Sequence, residues 1–152
     1  MATIQFPRKG VGALAAAPIA GARVIDVVVD LATDVTMGTA TDDIVVADLP
    51  AGTVVIAAGI EQLVAGTEET GTLAARVGTT AVSGTLDHDD VAGTVTTATA
   101  ANVPAVVPAA GATLNVLGAT TARVTGKIRV FAIVVEGTLK PAFAEAAARD
   151  VL

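Results

Sequence analysis

The chain has 152 residues, enough for one domain with a sizeable core, and its lack of cysteine excludes disulfides and thiol nucleophiles. Aromatic residues make up 2% of it and there is one histidine, which argues against zinc sites, acid–base catalysis and aromatic-lined pockets for small molecules. The formal net charge is −6 and there is no basic stripe with interleaved aromatics, so nucleic acid is not an expected partner. We expect a non-enzymatic protein without cofactors.

Residues 1–21 are rich in Ala and Gly, contain Pro7 and Pro18, and show no sustained period. Basic residues followed by a weakly apolar run resemble a signal peptide, but Gly12 and Pro18 interrupt the apolar run. We interpret this segment as an extended N-terminal arm, either mobile or laid along a partner.

The strands begin at residue 23. In residues 23–32, Ile25, Val27, Val29 and Leu31 share one face while Asp26 and Asp30 lie on the other, which predicts a half-buried strand. Residues 43–64 predict two strands around a turn at residues 50–52, where proline presets φ and glycine accepts unusual dihedral angles.

Shorter β-prone segments follow along the chain. They occupy residues 71–78, 81–90, 93–100 and 111–118, and a long last strand occupies 122–137. About eight strands at this spacing predict an all-β domain, a single two-sheet sandwich of jelly-roll type over residues 22–137. The longest uncharged run, 91–122, contains Asn102, Pro104 and Pro108, so no membrane segment is expected.

The last strand becomes apolar on both faces. Lys127 and Arg129 share a face with Phe131, Ile133 and Val135, so the polar side of the strand ends halfway along it. Something must cover the second half: the arm, the C-terminal tail or a neighbouring subunit, with cover from the chain itself the simplest expectation.

After this strand, residues 138–152 form a C-terminal tail that is rich in Ala. Pro141 suits the first turn of a helix and Arg149 suits its end. A helix this short is marginal unless it packs, and Phe143 and Ala147 would supply the contacts. The predicted organisation is therefore arm, sandwich and short helical tail.

Charge is unevenly distributed. Basic residues dominate both ends of the chain, while the middle, up to residue 122, is acidic with Arg76 its one basic residue. The ends of one subunit could dock on the acidic middle of another or on an acidic neighbour. The alternative is ordinary solvated surface, because exposed ion pairs contribute little.

Three acidic clusters are candidate sites. The loop Asp87–Asp90 offers carboxylates of the kind that bind Ca²⁺, but it lacks EF-hand spacing, so a solvated loop without metal is preferred. Asp42-Asp43 and Glu68-Glu69 are read as acidic loop tips, since neighbouring strand residues point to opposite faces. His88 has no nucleophile partner that would make it a catalytic base.

Three segments carry a resemblance to a known family. The Asp48–Gly59 segment reads as a "DLPAGT" hairpin, Thr72–Gly78 as a "TLAARVG" strand and Gly126–Val135 as the closing "GKIRVFAIVV" strand. Together, over about residues 23–137, they resemble capsid decoration (cement) proteins of tailed bacteriophages. The resemblance implies a β-sandwich on the outer surface of the phage head, a homotrimer that clamps major capsid proteins, with no catalytic residues.

On this hypothesis the arm and its junction with the sandwich contact the capsid through Phe6, Arg8, Lys9 and Arg23. The expected partners are the major capsid protein and other copies of the chain, with no nucleic acid, membrane or small-molecule substrate. An alternative function is a phage tail or baseplate component, or a module that binds the host surface. Modules that bind glycans usually expose aromatics, which are nearly absent here.

Overall fold

The structure, a computed structural model, describes residues 3–5, 22–34, 42–67, 70–98, 102–119 and 125–136, and the regular structure in these ranges is entirely β. The strands are β1 (Thr3–Gln5), β2 (Ala22–Asp30), β3 (Asp43–Leu49), β4 (Val54–Val64), β5 (Thr72–Val77), β6 (Thr80–Ala81), β7 (Leu86–Asp87), β8 (Val95–Thr97), β9 (Ala105–Val106), β10 (Ala112–Ala119) and β11 (Lys127–Val135).

These strands form two sheets. Sheet I has the order β1-β3-β10-β5-β6, with β7 also paired to β5, and sheet II has the order β2-β11-β4-β8, with β9 also paired to β4. All pairs are antiparallel except β1 with β3, which is parallel. The all-β prediction is confirmed as two largely antiparallel sheets with no helix in the described ranges.

The core lies between the inner faces of the two sheets and is almost entirely aliphatic. The alternation predicted for β2 is confirmed, since Ile25, Val27 and Val29 are buried. In β11 the buried residues are those of even number from Ile128 to Val134. One shared core makes the two sheets interdependent in stability.

The turn between β3 and β4 is where sequence and structure differ most. Thr53 N donates to Pro50 O at 3.1 Å and Gly52 has φ +76°, as expected for a tight turn. However, β3 belongs to sheet I and β4 to sheet II, so the expected hairpin is wrong and the chain passes from one sheet to the other at this turn. Both strands bury aliphatic side chains, which favours placing them on opposite sides of one core.

Three other sequence expectations have mixed outcomes. Residues 81–90, expected to hold one strand, contain the last residue of β6 and the whole of β7, both very short. Part of the predicted arm, β1, pairs with β3 of its own chain, so these three residues lie along the protein's own sheet. Residues 6–21 and 137–152 lie outside the described residues, and the predicted domain boundaries and helical tail stay predictions.

No described helix is long and apolar enough to cross a membrane.

Candidate interaction surface

The outer face of sheet II presents five rows of side chains across β2, β11 and β4. In order along β11 the rows are Asp30, Lys127 and Val64; Val28, Arg129 and Glu61; Asp26, Phe131 and Gly59; Val24, Ile133 and Ala57; and Ala22, Val135 and Val54. The first two rows carry most of the charge and form the charged end. The last three carry Phe131 and aliphatic side chains and form the apolar end, except that Asp26, in the third row, points to Arg129 and belongs to the charged end.

At the charged end, Arg129 ties all three strands together. Its Nε and one NH₂ group donate to the two carboxylate oxygens of Asp26 at 2.7 and 2.6 Å, and its other NH₂ group donates to Glu61 Oε2 at 3.3 Å. The hydrogen bonds from Arg129 hold the pKa of the Asp26 carboxyl below its ordinary value, against an opposing contribution from burial. This bidentate geometry favours a fixed arrangement of the charges.

A second ion pair, between Lys127 and Asp30, lies in the outermost row of the charged end. Lys127 Nζ lies 3.1 Å from Asp30 Oδ2, and this hydrogen bond is the main cause that lowers the pKa of the Asp30 carboxyl. Asp30 Oδ1 also accepts from the backbone N–H groups of Ala32 and Thr33, which closes the turn after β2. The carboxylates of Asp26, Asp30 and Glu61 therefore all accept hydrogen bonds from the same chain.

The apolar end is open to solvent among the described residues. Val24, Ile56 and Ile133 are 43%, 48% and 42% exposed, and they are neighbours because Ile133 pairs with Val24 on one side and Ala57 on the other. Ile56 bulges out of β4, where the register with β11 shifts. An exposed aliphatic patch of this kind on a sheet face is typical of a surface that another segment or molecule covers.

Phe131 lies at the border between the two ends and explains Gly59. A Cβ built at Gly59 would lie 2.4 Å from Phe131 Cζ and 2.7 Å from Thr96 O, so only glycine leaves room for the ring. Sequence reasoning identified Phe131, Ile133 and Val135, but it missed that Ile56 joins them. The missed signal is weak, because a bulge shifts the alternation within β4.

The sequence-predicted capsid-binding residues fall mostly outside the described residues, which include Arg23 but not Phe6, Arg8 and Lys9. Arg23 NH2 lies 3.3 Å from Glu136 Oε1, with both side chains partly exposed. This ion pair joins the start of β2 to the residue after β11. The start of β2 and the residue after β11 therefore lie side by side, next to the apolar end.

The acidic doublet Asp42-Asp43 is not a loop tip, so that expectation is wrong for this pair. Asp42 is buried, and Asp43 opens β3 with its carboxylate accepting a hydrogen bond from Asn115 Nδ2. Burial raises the pKa of the Asp43 carboxyl, with Asn115 acting in the opposite direction. Asp43 Oδ1 and Asn115 Oδ1 are both buried without a hydrogen-bond partner. The pair is a polar element on sheet I; Glu68-Glu69 lie outside the described residues.

The Asp87–Asp90 loop is a closed turn. Asp90 Oδ2 accepts from Asp87 N at 3.1 Å, and Asp90 N donates to Asp87 O at 3.2 Å. Nowhere in the described ranges do three His, Asp or Glu side chains form a group that could hold a metal ion. The Asp90 carboxylate therefore stabilises the turn of the loop through this hydrogen bond.

His88, within the same loop, is fully buried and holds neighbouring segments together. Its Nε2 lies 2.8 Å from Thr125 O, its backbone O accepts from Gly66 N at 2.9 Å, and its backbone N donates to Gly71 O at 2.7 Å. The imidazole and the backbone of His88 together therefore link three segments of the fold.

An open groove of about 890 Å³ lies at one end of the sandwich, between the turn after β5 and the strand β9. Small side chains and backbone line it, including Gly78, Pro104 and Ala112, with Asp48 the charged residue. It contains no aromatic side chain or convergent group of charges that would fix the orientation of a small molecule.

Comparison with known proteins gives a fold but no family. No protein-family model and no curated protein matches the sequence. A chain of the capsid of Ralstonia phage GP4 superposes with TM-score 0.59 and 19% identity over 90% of this chain and 99% of the other. A chain of the capsid of cyanophage Pam1 superposes with TM-score 0.51 and 19% identity over 83% and 95%. The protein thus shares its fold with chains in two phage capsids.

Proposed function

We propose that this chain is a structural virion protein of a tailed bacteriophage, a decoration (cement) protein on the outer surface of the head. The observation that carries the proposal is the shared fold with the GP4 capsid chain, which is matched over 99% of its length. A whole chain of similar size and architecture is therefore part of a capsid. The jelly-roll topology and the homotrimer belong to the same proposal.

In this proposal the chain acts by contact rather than by chemistry. The outer face of sheet II supplies an aliphatic patch beside a fixed array of charges, which suits binding to another protein surface. Many such weak contacts, repeated over a shell, add up to strong attachment. The partners are the major capsid protein and further copies of the chain.

The arm is the proposed capsid contact, through Phe6, Arg8 and Lys9, with Arg23 at its base. Reversing its charge with R8E/K9E should weaken head binding strongly, because the two new glutamates would face like charges on an acidic neighbour. The control is K140E/R149E, which makes the same change of net charge at the other end of the chain. Binding is measured by co-sedimentation with heads that lack this protein.

Equal loss of binding in both variants would indicate general electrostatic attraction and contradict the assignment to the arm. Unchanged binding in R8E/K9E would exclude its basic residues from the interface. Circular dichroism of both variants should be unchanged, since the core of the described residues includes none of the four substituted positions.

The decisive experiment for the function is cryo-electron microscopy of particles that carry this chain. Density for the sandwich in many copies on the outer surface of the head, at three-fold or quasi-three-fold positions, is the expected result. Density in a few copies along the tail would instead support the alternative, a tail or baseplate component.

A further inference from the structure

We propose that β2 pairs edge to edge with β2 of a second copy of the chain, antiparallel and about a two-fold axis. This contact makes sheet II continuous through both copies. The proposal does not depend on the proposed function, since a two-fold contact of this kind joins single subunits or proposed trimers alike. Its basis is the length of β2, its free backbone groups and the side chains that it carries.

Among the described residues, β2 is the one long strand at a sheet edge. It has nine residues and pairs with β11 alone, whereas the other edge strands, β1, β6, β7, β8 and β9, have two or three residues each. Its outward-facing Val24 and Val28 are 43% and 47% exposed. The register with β11 is unbroken and β2 contains no proline or lysine, so it lacks the features that usually block pairing at an edge.

Hydrogen bonds at the end of β2 show which of its backbone groups face the free edge. Asp30 N donates to Asp34 Oδ2 at 3.3 Å and Asp30 O accepts from Asp34 N at 2.9 Å, so both groups of Asp30 point away from β11. The next residue, Leu31, donates its N–H to Gly126 O, on the β11 side. In an antiparallel pair this direction alternates from residue to residue. The even-numbered residues of β2 therefore present their N–H and C=O groups to the free edge.

One two-fold register pairs all of these free groups with one another. Since the turn uses the groups of Asp30, the free set is Ala22, Val24, Asp26 and Val28. With the axis at Ile25, Ala22 lies opposite Val28 of the second copy and Val24 lies opposite its Asp26. Each of these pairs exchanges two hydrogen bonds, as in a regular antiparallel ladder. A second copy of β2 therefore fits the edge without leaving any of the four residues unpaired.

The side chains also match in this register. On the inner face Ile25 lies opposite Ile25 of the second copy, and on the outer face Ala22 lies opposite its Val28, so aliphatic side chains meet across both faces. Asp26 lies opposite a valine, and its carboxylate stays on Arg129 of its own chain through hydrogen bonds of 2.6 and 2.7 Å. No charged side chain of β2 therefore lies directly opposite a like charge.

Disulfide trapping tests the pairing directly, because the chain has no cysteine of its own. Equal amounts of the full-length variants A22C and V28C are mixed and oxidised, and each variant is also oxidised alone at the same total concentration. In the proposed register, positions 22 and 28 of different copies have Cα atoms about 5.5 Å apart, which suits a disulfide. Two cysteines at the same position of the two copies would be about 20 Å apart.

The expected result is a cross-linked dimer that forms at least about ten-fold faster in the mixture than in either variant alone, because only the mixture brings two cysteines within disulfide range. Equal rates in all three samples would indicate random collision and overturn the proposal. Absence of a dimer in the mixture would overturn it as well, in favour of an edge that stays free or binds a strand of another protein.

A second measurement needs no cysteine. V28K places a charge at the free edge of β2, and the control V95K places the same charge at the opposite edge of sheet II, on a valine of similar exposure, 48% against 47%. Sedimentation velocity over a series of concentrations should show self-association of the wild type and of V95K, and association about ten-fold weaker in V28K, because an edge lysine blocks strand pairing. Equal behaviour of the three proteins, associated or not, would overturn the proposal.

Discussion

Replacing Gly66 with alanine should destabilise the protein through a single side chain, His88. A Cβ at Gly66 would lie 1.9 Å from His88 Nε2 and 2.1 Å from its Cδ2, far inside contact distance. The imidazole is fully buried and donates through Nε2 to Thr125 O at 2.8 Å. It cannot stay in place beside the new methyl group.

The size of the effect follows from what the ring loses. Its hydrogen bond contributes about 1 kcal/mol and its buried packing about 2 kcal/mol, so G66A should lower the free energy of unfolding by about 3 kcal/mol. H88A should cost about the same. In the double variant the methyl group enters space that the ring has left, so the combined loss should stay near 3 kcal/mol instead of about 6 kcal/mol.

The assay is equilibrium unfolding in urea, followed by far-ultraviolet circular dichroism because the chain has no Trp or Tyr. Protein concentration is kept the same throughout. G84A is the matched control, since a Cβ at Gly84 would make only ordinary contacts, at 3.5 and 3.6 Å, and should change stability little. Additive losses in G66A/H88A, or a G66A variant as stable as G84A, would refute the reasoning.

Three further predictions concern the core, the half-buried carboxyl of Asp43 and the surface charges. I128A should lower the free energy of unfolding by about 2–5 kcal/mol, since Ile128 is fully buried; a smaller loss in urea unfolding would contradict its place in the core. D43N should raise stability by about 1 kcal/mol at pH 7, because burial raises the Asp43 pKa and the new amide can donate to Asn115 Oδ1. Its advantage should shrink as the pH falls through the raised pKa and wild-type Asp43 becomes protonated. R129M should lower the urea midpoint at pH 7, and its difference from the wild type should shrink as the pH falls from 3.8 through the lowered Asp26 pKa, because protonation of that carboxyl removes the stabilisation; a difference that stays constant over this pH range would contradict it.

Much of the fold could be predicted because β-strands have a period of two that reads directly from the residues. The inward set of β2 and the even-numbered inward set of β11 follow from alternation alone, and both are buried. The glycine and proline at the turn after β3 were equally informative, because the φ angle at Gly52 requires what glycine supplies.

The candidate surface was only partly predictable. Alternation showed that the second half of β11 is apolar on both sides, and the structure places Ile133 beside Val24 and Ala57. The contribution of Ile56 depends on a bulge, and the Arg129 cluster depends on side chains from three strands. These features arise from register between segments far apart in the chain, which a single sequence does not encode in a local pattern.

The sequence by itself determined the all-β class, the inward faces of the long strands and the turn residues, because each depends on near neighbours in the chain. Tertiary structure alone decided that β3 and β4 enter different sheets, that Asp42 is buried and that His88 links three segments. These outcomes depend on which distant segments meet across the core, where burial and hydrogen bonding outweigh local preference.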